Sequence, residues 1–524
     1  MQGVELVLIS MLVAVAGLAT AARLANIPYP IVLVVGGLAL GFAPGLPEIQ
    51  LAPELVLVIF LPPLLYSAAF FANLRELRSN ARGISMLAVG LVLATMCAVA
   101  VVAHAVVDGL PWAAAFALGA IVAPTDPLAA TTVARRLGVP RRIVTVVEGE
   151  SLVNDGTALV AYRVAVSAAV GGSFSLWSAG LEFVLGAAGG VVVGIVVGWI
   201  ISEIRRRLDD VPVEITISLL SGYAGYIPAE ALHASGVLAA VTVGIVVGWR
   251  APRISTAGMR LQGYAVWETL VFLVNALLFV LIGLQLRLII DSLSGASPAM
   301  LLAQAAVVSL AVILARIAWM FTMPYVVRAL DRRPTQRERR GDWRQRMVIA
   351  SSGMRGAVSL AAALALPGNF PHRNIVLFLT FAVIFTTLVL QGLTLPALIR
   401  RLGIRDDGTD EREELLARRA ATDAALATID ELAGEDWTRD ETAERMRALY
   451  DYRRSRLAAR AGETDDADGD GYERRSRTYQ KMVRRVLDAQ RDELVRLRDR
   501  GEISNDVMHR LERELDLEDE RLEI

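Results

Sequence analysis

The chain has 524 residues, 54% of them hydrophobic and only 6% aromatic, with 53 Lys and Arg against 54 Asp and Glu. Its apolar runs are far longer than a soluble core needs, which excludes an ordinary globular protein and points to a polytopic membrane protein. The near-neutral total hides an asymmetry: residues 1–404 hold 29 basic and 20 acidic side chains, and residues 405–524 hold 24 and 34.

Hydropathy, broken by Pro, Gly and charge, gives about 13 predicted spans in chain order: 4–22, 27–43, 52–71, 83–107, 112–136, 143–170, 180–203, 212–231, 235–249, 266–289, 299–327, 347–367 and 374–400. The first has no basic region before it and is read as a retained helix rather than a cleaved signal. Cys97, the single cysteine, lies inside the fourth span and is expected to be a small core residue. Loops after odd-numbered spans carry 22 arginines, from Arg23 to Arg346, against Arg287 and Arg373 on the other side. The positive-inside rule therefore predicts an external N-terminus and a cytoplasmic C-terminal tail in the cell membrane. The expected division is a membrane domain over 1–404 and a charged helical tail over 405–524.

Two spans are interrupted. In the fifth, Ala123-Pro124-Thr125-Asp126-Pro127 places two prolines and an acid at mid-depth. In the twelfth, Ser351-Ser352-Gly353-Met354-Arg355-Gly356 places two glycines around an arginine. Proline removes a backbone hydrogen bond and disfavours helix in the residue before it. The fifth and twelfth spans correspond if spans 1–6 and 8–13 are inverted repeats, and broken helices at matching positions mark transporter binding sites. Packing kinks are the alternative.

The sixth span opens with Glu148-Gly149-Glu150-Ser151-Leu152-Val153-Asn154-Asp155. Three acids in one membrane segment need a reason, since each costs at least ~2.5 kcal/mol at the bilayer centre. Asp155 falls ~18 Å into a core ~30 Å thick, near the midplane. Glu148, Ser151 and Asp155 share one helical face, read as an ion path from the cytoplasm, although an interfacial Glu148 fits equally. Glu150 and Asn154 share a neighbouring face. Arg316, the lone cation inside the eleventh span, is the candidate partner for Glu150 in a structural ion pair; the alternative is that Glu150 binds the ion directly.

With Leu61-Pro62-Pro63-Leu64-Leu65-Tyr66, Trp267-Glu268, Asn275, Gly283 and Gln391-Gly392-Leu393-Thr394, these motifs resemble the cation:proton antiporter-1 family across residues 1–404. The resemblance implies an all-α membrane protein of two inverted six-helix repeats with crossing broken helices 5 and 12. It also implies a homodimer with a rigid dimerisation domain, and a six-helix core that moves vertically to alternate access. It implies that Asp155 holds cation or proton, with Thr125, Asp126 and Ser151 as co-ligands and Asn154 orienting the site. Glu150–Arg316 would be the structural pair, and Arg355 would compensate the broken helix ends. Some members carry a Glu where this chain has Ser67, which leaves ion identity less fixed than fold.

The chemistry of the residues agrees with a hard monovalent cation, because carboxylate, hydroxyl and carbonyl oxygens are present and no Cys or His cluster is. Burial favours the neutral carboxyl of Asp155 and a bound cation favours its anion, so the two ligands exclude each other. The expected activity is exchange of Na+, or Li+ or K+, for H+, electroneutral because Asn154 stands where electrogenic relatives carry a second acid. The alternatives are a potassium/proton antiporter, a passive cation channel, or a scaffold for its tail. Neither enzymatic activity, nor a cofactor, nor a nucleic-acid partner is expected; the partners are cation, proton, bilayer and a second copy.

Of the remaining ionisable groups, Arg163 is expected to snorkel outward, and Glu54, Glu214 and Glu268 to be interfacial. The histidines form no cluster. In the tail, 410–432, 438–461, 472–500 and 504–523 read as charged helices, the last capped by Ser504. Asp466-Ala467-Asp468-Gly469-Asp470-Gly471 resembles a calcium loop, but its twelfth position is Arg477, so a flexible acidic linker is expected.

Overall fold

A computed structural model describes residues 2–25, 27–42, 53–171, 176–291, 293, 297–330, 342–461 and 466–523. Among these the chain is helical throughout, with no strand. It divides into two compact units, Met1–Asp407 and Gly408–Ile524.

The first unit contains α1 (Gln2–Ala25), α2 (Tyr29–Gly41), α3 (Pro53–Phe70), α4 (Leu74–Ser79), α5 (Ala81–Val106), α6 (Trp112–Val122), α7 (Leu128–Arg136) and α8 (Arg141–Gly171). It continues through α9 (Leu176–Arg206), α10 (Val211–Ala231), α11 (Gly236–Ile254), α12 (Ala257–Asp291), α13 (Pro298–Leu330), α14 (Trp343–Ser351), α15 (Ala357–Leu364) and α16 (Arg373–Leu402). Six of the described helical stretches are long and apolar enough to cross a membrane: 81–106, 184–206, 236–254, 257–285, 298–327 and 373–402. That makes the protein a multi-pass membrane protein.

The helices pack in two groups. In the first, α2 lies along α12, and α3 and α9 lie along α11, with α10 beside them. Contact is backbone to backbone: a Cβ on Gly283 would sit 2.6 Å from the carbonyl carbon of Gly37. Trp267 Nε1 donates to Ser218 Oγ at 3.0 Å, and its ring lies 5.3 Å from that of Tyr66, tying α12, α10 and α3 together. In the second group α6 packs between α5 and α8, and α13 contacts α5, α14 and α16.

Two expectations change here. Cys97 is exposed on α5 rather than buried, because its helical face is an outer one. Glu214 is fully buried rather than interfacial, paired at 3.7 Å with Arg205, itself fully buried. The first turn of α10 and the last turn of α9 meet there, so their opposite charges can be withdrawn together. The Glu54 side chain lies outside the described residues.

The second unit contains α17 (Thr409–Leu432), α18 (Asp440–Arg460), α19 (Asp466–Asp499) and α20 (Asn505–Glu523), each packed on the next. Ser504 caps α20 by accepting from Val507 N at 3.3 Å. Arg491 of α19 bonds Asp516 and Asp519 of α20 at 2.9 and 3.2 Å, which raises the guanidinium pKa above its ordinary value. Residues 466–471 are helical, not a linker. Helix propagation from the long charged segment after them outweighs two glycines.

Candidate ion-binding site

The two breaks fold as the prolines and glycines dictate. Helix α6 stops at Val122, before Ala123-Pro124, and α7 begins after Pro127. Helix α14 stops at Ser351, and α15 begins after Gly356. The two unwound segments meet, with Asp126 N donating to Met354 O at 2.7 Å. The half-helices leave two C-terminal and two N-terminal ends inside the protein, with partial negative and positive charge respectively.

One charged side chain serves each pair of ends. Arg355, buried, donates from Nε to Val122 O at 2.9 Å and from Nη1 to Gly353 O, at the C-terminal ends of α6 and α14. Its own N–H donates to Thr387 Oγ1 at 3.1 Å, and Thr387 belongs to a π-helical turn within α16. Asp126 Oδ1 accepts from Leu128 N at 2.9 Å, at the start of α7, and the Ala357 backbone at the start of α15 also bonds this carboxylate. A Cβ on Gly356 would lie 2.7 Å from Asp126 Cγ, so only glycine allows this approach.

Helix α8 runs unbroken past the crossing. Its Glu148, Ser151 and Asp155 line one cavity of about 670 Å³ together with Thr125 and Asp126. Asp155 is 6% exposed, and among the described residues no hydrogen bond reaches its carboxylate. Ser151 Oγ donates to Thr125 O at 2.8 Å, which leaves the hydroxyl lone pairs free. The Thr125 hydroxyl is committed elsewhere: it donates to Glu150 Oε1 at 3.2 Å and accepts from Asn154 Nδ2 at 2.9 Å. Asn154 Oδ1 is buried with no partner among the described residues.

Glu150, 1% exposed, pairs through both oxygens with Arg316, also 1% exposed; the Nη2–Oε2 contact is 2.8 Å and the Nη1–Oε1 contact completes the fork. Arg316 also donates to Ile349 O and Ala350 O at the end of α14, at 3.0–3.2 Å. The structure thus brings together Asp155, Asp126, Ser151 and Thr125 around one cavity, and holds Glu150, Arg316 and Asn154 behind it. Arg355 is not a cavity wall.

The cavity reaches the surface beside an ion pair between Glu148 and Arg135, 2.7 Å apart, with Arg135 66% exposed. Glu268 is exposed and lines the same cavity. Beyond Asp155 in the other direction, α8 closes on α11, where a Cβ on Gly156 would lie 2.8 Å from Leu238 Cδ2. Further along, Arg163 Nη2 donates to both oxygens of Glu230 at 2.7 and 2.8 Å. Arg163 therefore bridges to α10 instead of extending freely outward. Sequence reasoning missed this pair because Glu230, 67 residues away, sits at a helix end with no motif around it.

The oxygens available, two carboxylates and a hydroxyl with free lone pairs, fit a hard cation. The family model described as "Sodium/hydrogen exchanger, transmembrane" matches residues 8–401. A Na+/H+ exchanger of Mycobacterium tuberculosis is 36% identical, over 94% of this chain and 91% of that one. The Na+/H+ antiporter ApNhaP of Aphanothece halophytica is 33% identical over 79% of this chain and 78% of its own. A sodium, potassium, lithium and rubidium/H+ antiporter of Bacillus subtilis is 30% identical over 93% and 73%. The solved sodium proton antiporter MjNhaP1 of Methanocaldococcus jannaschii shares the fold, with a TM-score of 0.62 at 20% identity, over 77% of this chain and 99% of that one. The chain belongs to the sodium/hydrogen exchanger family, whose members are membrane transporters rather than enzymes.

Proposed function

We propose that the protein is a secondary active transporter that exchanges a monovalent cation, Na+ first, for a proton at Asp155. The observation that carries this reading is the cavity leading from the Glu148–Arg135 pair to a buried carboxylate with no donor among the described residues. Such a carboxylate can take a proton or a cation but gains little from holding neither, so its two ligands compete. Cation oxygens come from Asp155, Asp126 and Ser151; Thr125 supplies its backbone, since its hydroxyl serves Asn154 and Glu150. Asn154 and the Glu150–Arg316 pair fix the wall, and Arg355 and Asp126 complement the half-helix ends.

The topology that goes with this is thirteen spans in two inverted repeats, an outer N-terminus and a cytoplasmic tail. The Glu148–Arg135 mouth, beside the arginines that follow the fifth span, is then cytoplasmic and the Gly156–Leu238 contact with the Arg163–Glu230 pair closes the outer end. Alternating access moves α5–α8 and α13–α16 against the other group, within a homodimer in the cell membrane, and the physiological role is pH and sodium homeostasis.

In everted vesicles, adding Na+ or Li+ is expected to collapse an imposed pH gradient. A second reading, broader alkali-cation exchange including K+, is favoured by Ser67: its hydroxyl donates to Leu64 O at 2.9 Å and adds no anion to the site. A K+ response equal to that for Na+ would select it. With one titrating acid the exchange is one for one; a rate that follows an imposed membrane voltage would show that Asp126 carries a second proton. Current without proton movement would instead make the protein a channel.

Gly356→Ala tests the crossing. The added Cβ must displace the Asp126 carboxylate, so transport is expected to fall at least tenfold while membrane expression is retained. Unchanged transport would mean that the position of Asp126 is unimportant.

A further inference from the structure

A second cavity, of about 690 Å³, lies on the seam between the two helix groups, bounded by α1, α2 and α12 on one side and α7 and α16 on the other. Arg23, Arg136 and Arg400 line it, with apolar walls that include Ala22, Ile27 and Val133, and none of the described residues lining it is a carboxylate. Each arginine stands in the last turn of its helix: α1, α7 and α16. All three follow odd-numbered spans, so the positive-inside reading puts them at one membrane boundary.

We infer that this cavity is a binding site for an anionic phospholipid of that leaflet. Guanidinium groups pair with phosphodiester oxygens in forked hydrogen bonds, and apolar walls suit the glycerol and the upper acyl chain. Basic pockets between helices at the cytoplasmic boundary are where such headgroups bind. A free phosphate would use the arginines and leave the apolar walls wet. The lipid touches both helix groups, and Tyr29 and Phe272 wall this cavity and the ion cavity alike. Occupancy therefore biases the relative position of the groups. Only this consequence rests on the exchange reading; binding does not.

The test is native mass spectrometry of the delipidated full chain, offered an equal mixture of phosphatidylglycerol and phosphatidylcholine. Wild type is expected to retain phosphatidylglycerol. The preference should fall about fivefold per arginine removed, so at least tenfold in the double variant R23Q/R400Q, while Arg23→Lys with Arg400→Lys keeps most of it. Ala22→Trp, which fills the cavity with the charges intact, should lose it too. Unchanged retention in R23Q/R400Q, meaning annular lipid only, would overturn the site. So would displacement of the lipid by inorganic phosphate alone, which would mark a free-anion site.

Discussion

Asp155→Asn is expected to abolish cation/proton exchange while leaving a folded protein in the membrane. The substitution keeps the size of a side chain that is 6% exposed, and it breaks no hydrogen bond among the described residues, so stability should change little. It removes the group that alternates between proton and cation. An amide binds no proton at working pH, and as a neutral ligand it replaces a charge-assisted contact. At about 3 kcal/mol for that contact, loss of transport should exceed about 100-fold. Dye-reported proton flux in everted vesicles checks it. A channel would keep conducting and a scaffold would keep its tail's work, so the same variant separates all three readings.

Arg316→Ala should have the largest effect on stability. Arg316 and Glu150 are each 1% exposed and face one another in a fork, and Arg316 also holds two carbonyls at the end of α14. Removing the cation strands a buried carboxylate whose one other hydrogen bond among the described residues comes from Thr125. Breaking a buried pair from one side costs about 3–5 kcal/mol. The thermal midpoint of the purified protein should drop by roughly 5–10 °C. Removing both charges, as in Glu150→Gln with Arg316→Met, should recover part of the loss, because no unpaired ion remains. Arg316→Lys should recover less than a fork requires, since an ammonium cannot match both carboxylate oxygens and the carbonyls at once. Equal midpoints for wild type and Arg316→Ala would show that the pair carries no stability.

Much of this arrangement was legible in the residues because membrane burial makes charge conspicuous. The breaks could be read from Pro124, Pro127, Gly353 and Gly356, whose effect on a helix is local. The shared face of Glu148, Ser151 and Asp155 follows from helical periodicity alone, and the three line one cavity. The contact between Glu150 and Arg316 followed from elimination: few cations lie inside spans, and a buried carboxylate needs one.

What escaped sequence reading depended on long-range packing. Glu214 looked interfacial because it lies one turn from a helix start, yet Arg205 across the α9–α10 turn draws it inside. Arg163 and Glu230 meet only because α8 and α10 converge. That Asp126 sits at two helix starts, mirroring Arg355 at two helix ends, needed the backbone contact between the breaks. The commitment of the Thr125 hydroxyl to Asn154 and Glu150 likewise depends on rotamers that no spacing specifies.

Proton release on cation binding tests the competition at Asp155 most directly. Purified protein in weakly buffered solution, at a pH where the site is mostly protonated, is given Na+ and the pH is followed. The account predicts one proton released per cation bound, none from Asp155→Asn, and an apparent Na+ affinity that weakens about tenfold for each further unit of acidification. Na+ binding without proton release, or the same release from Asp155→Asn, would contradict it.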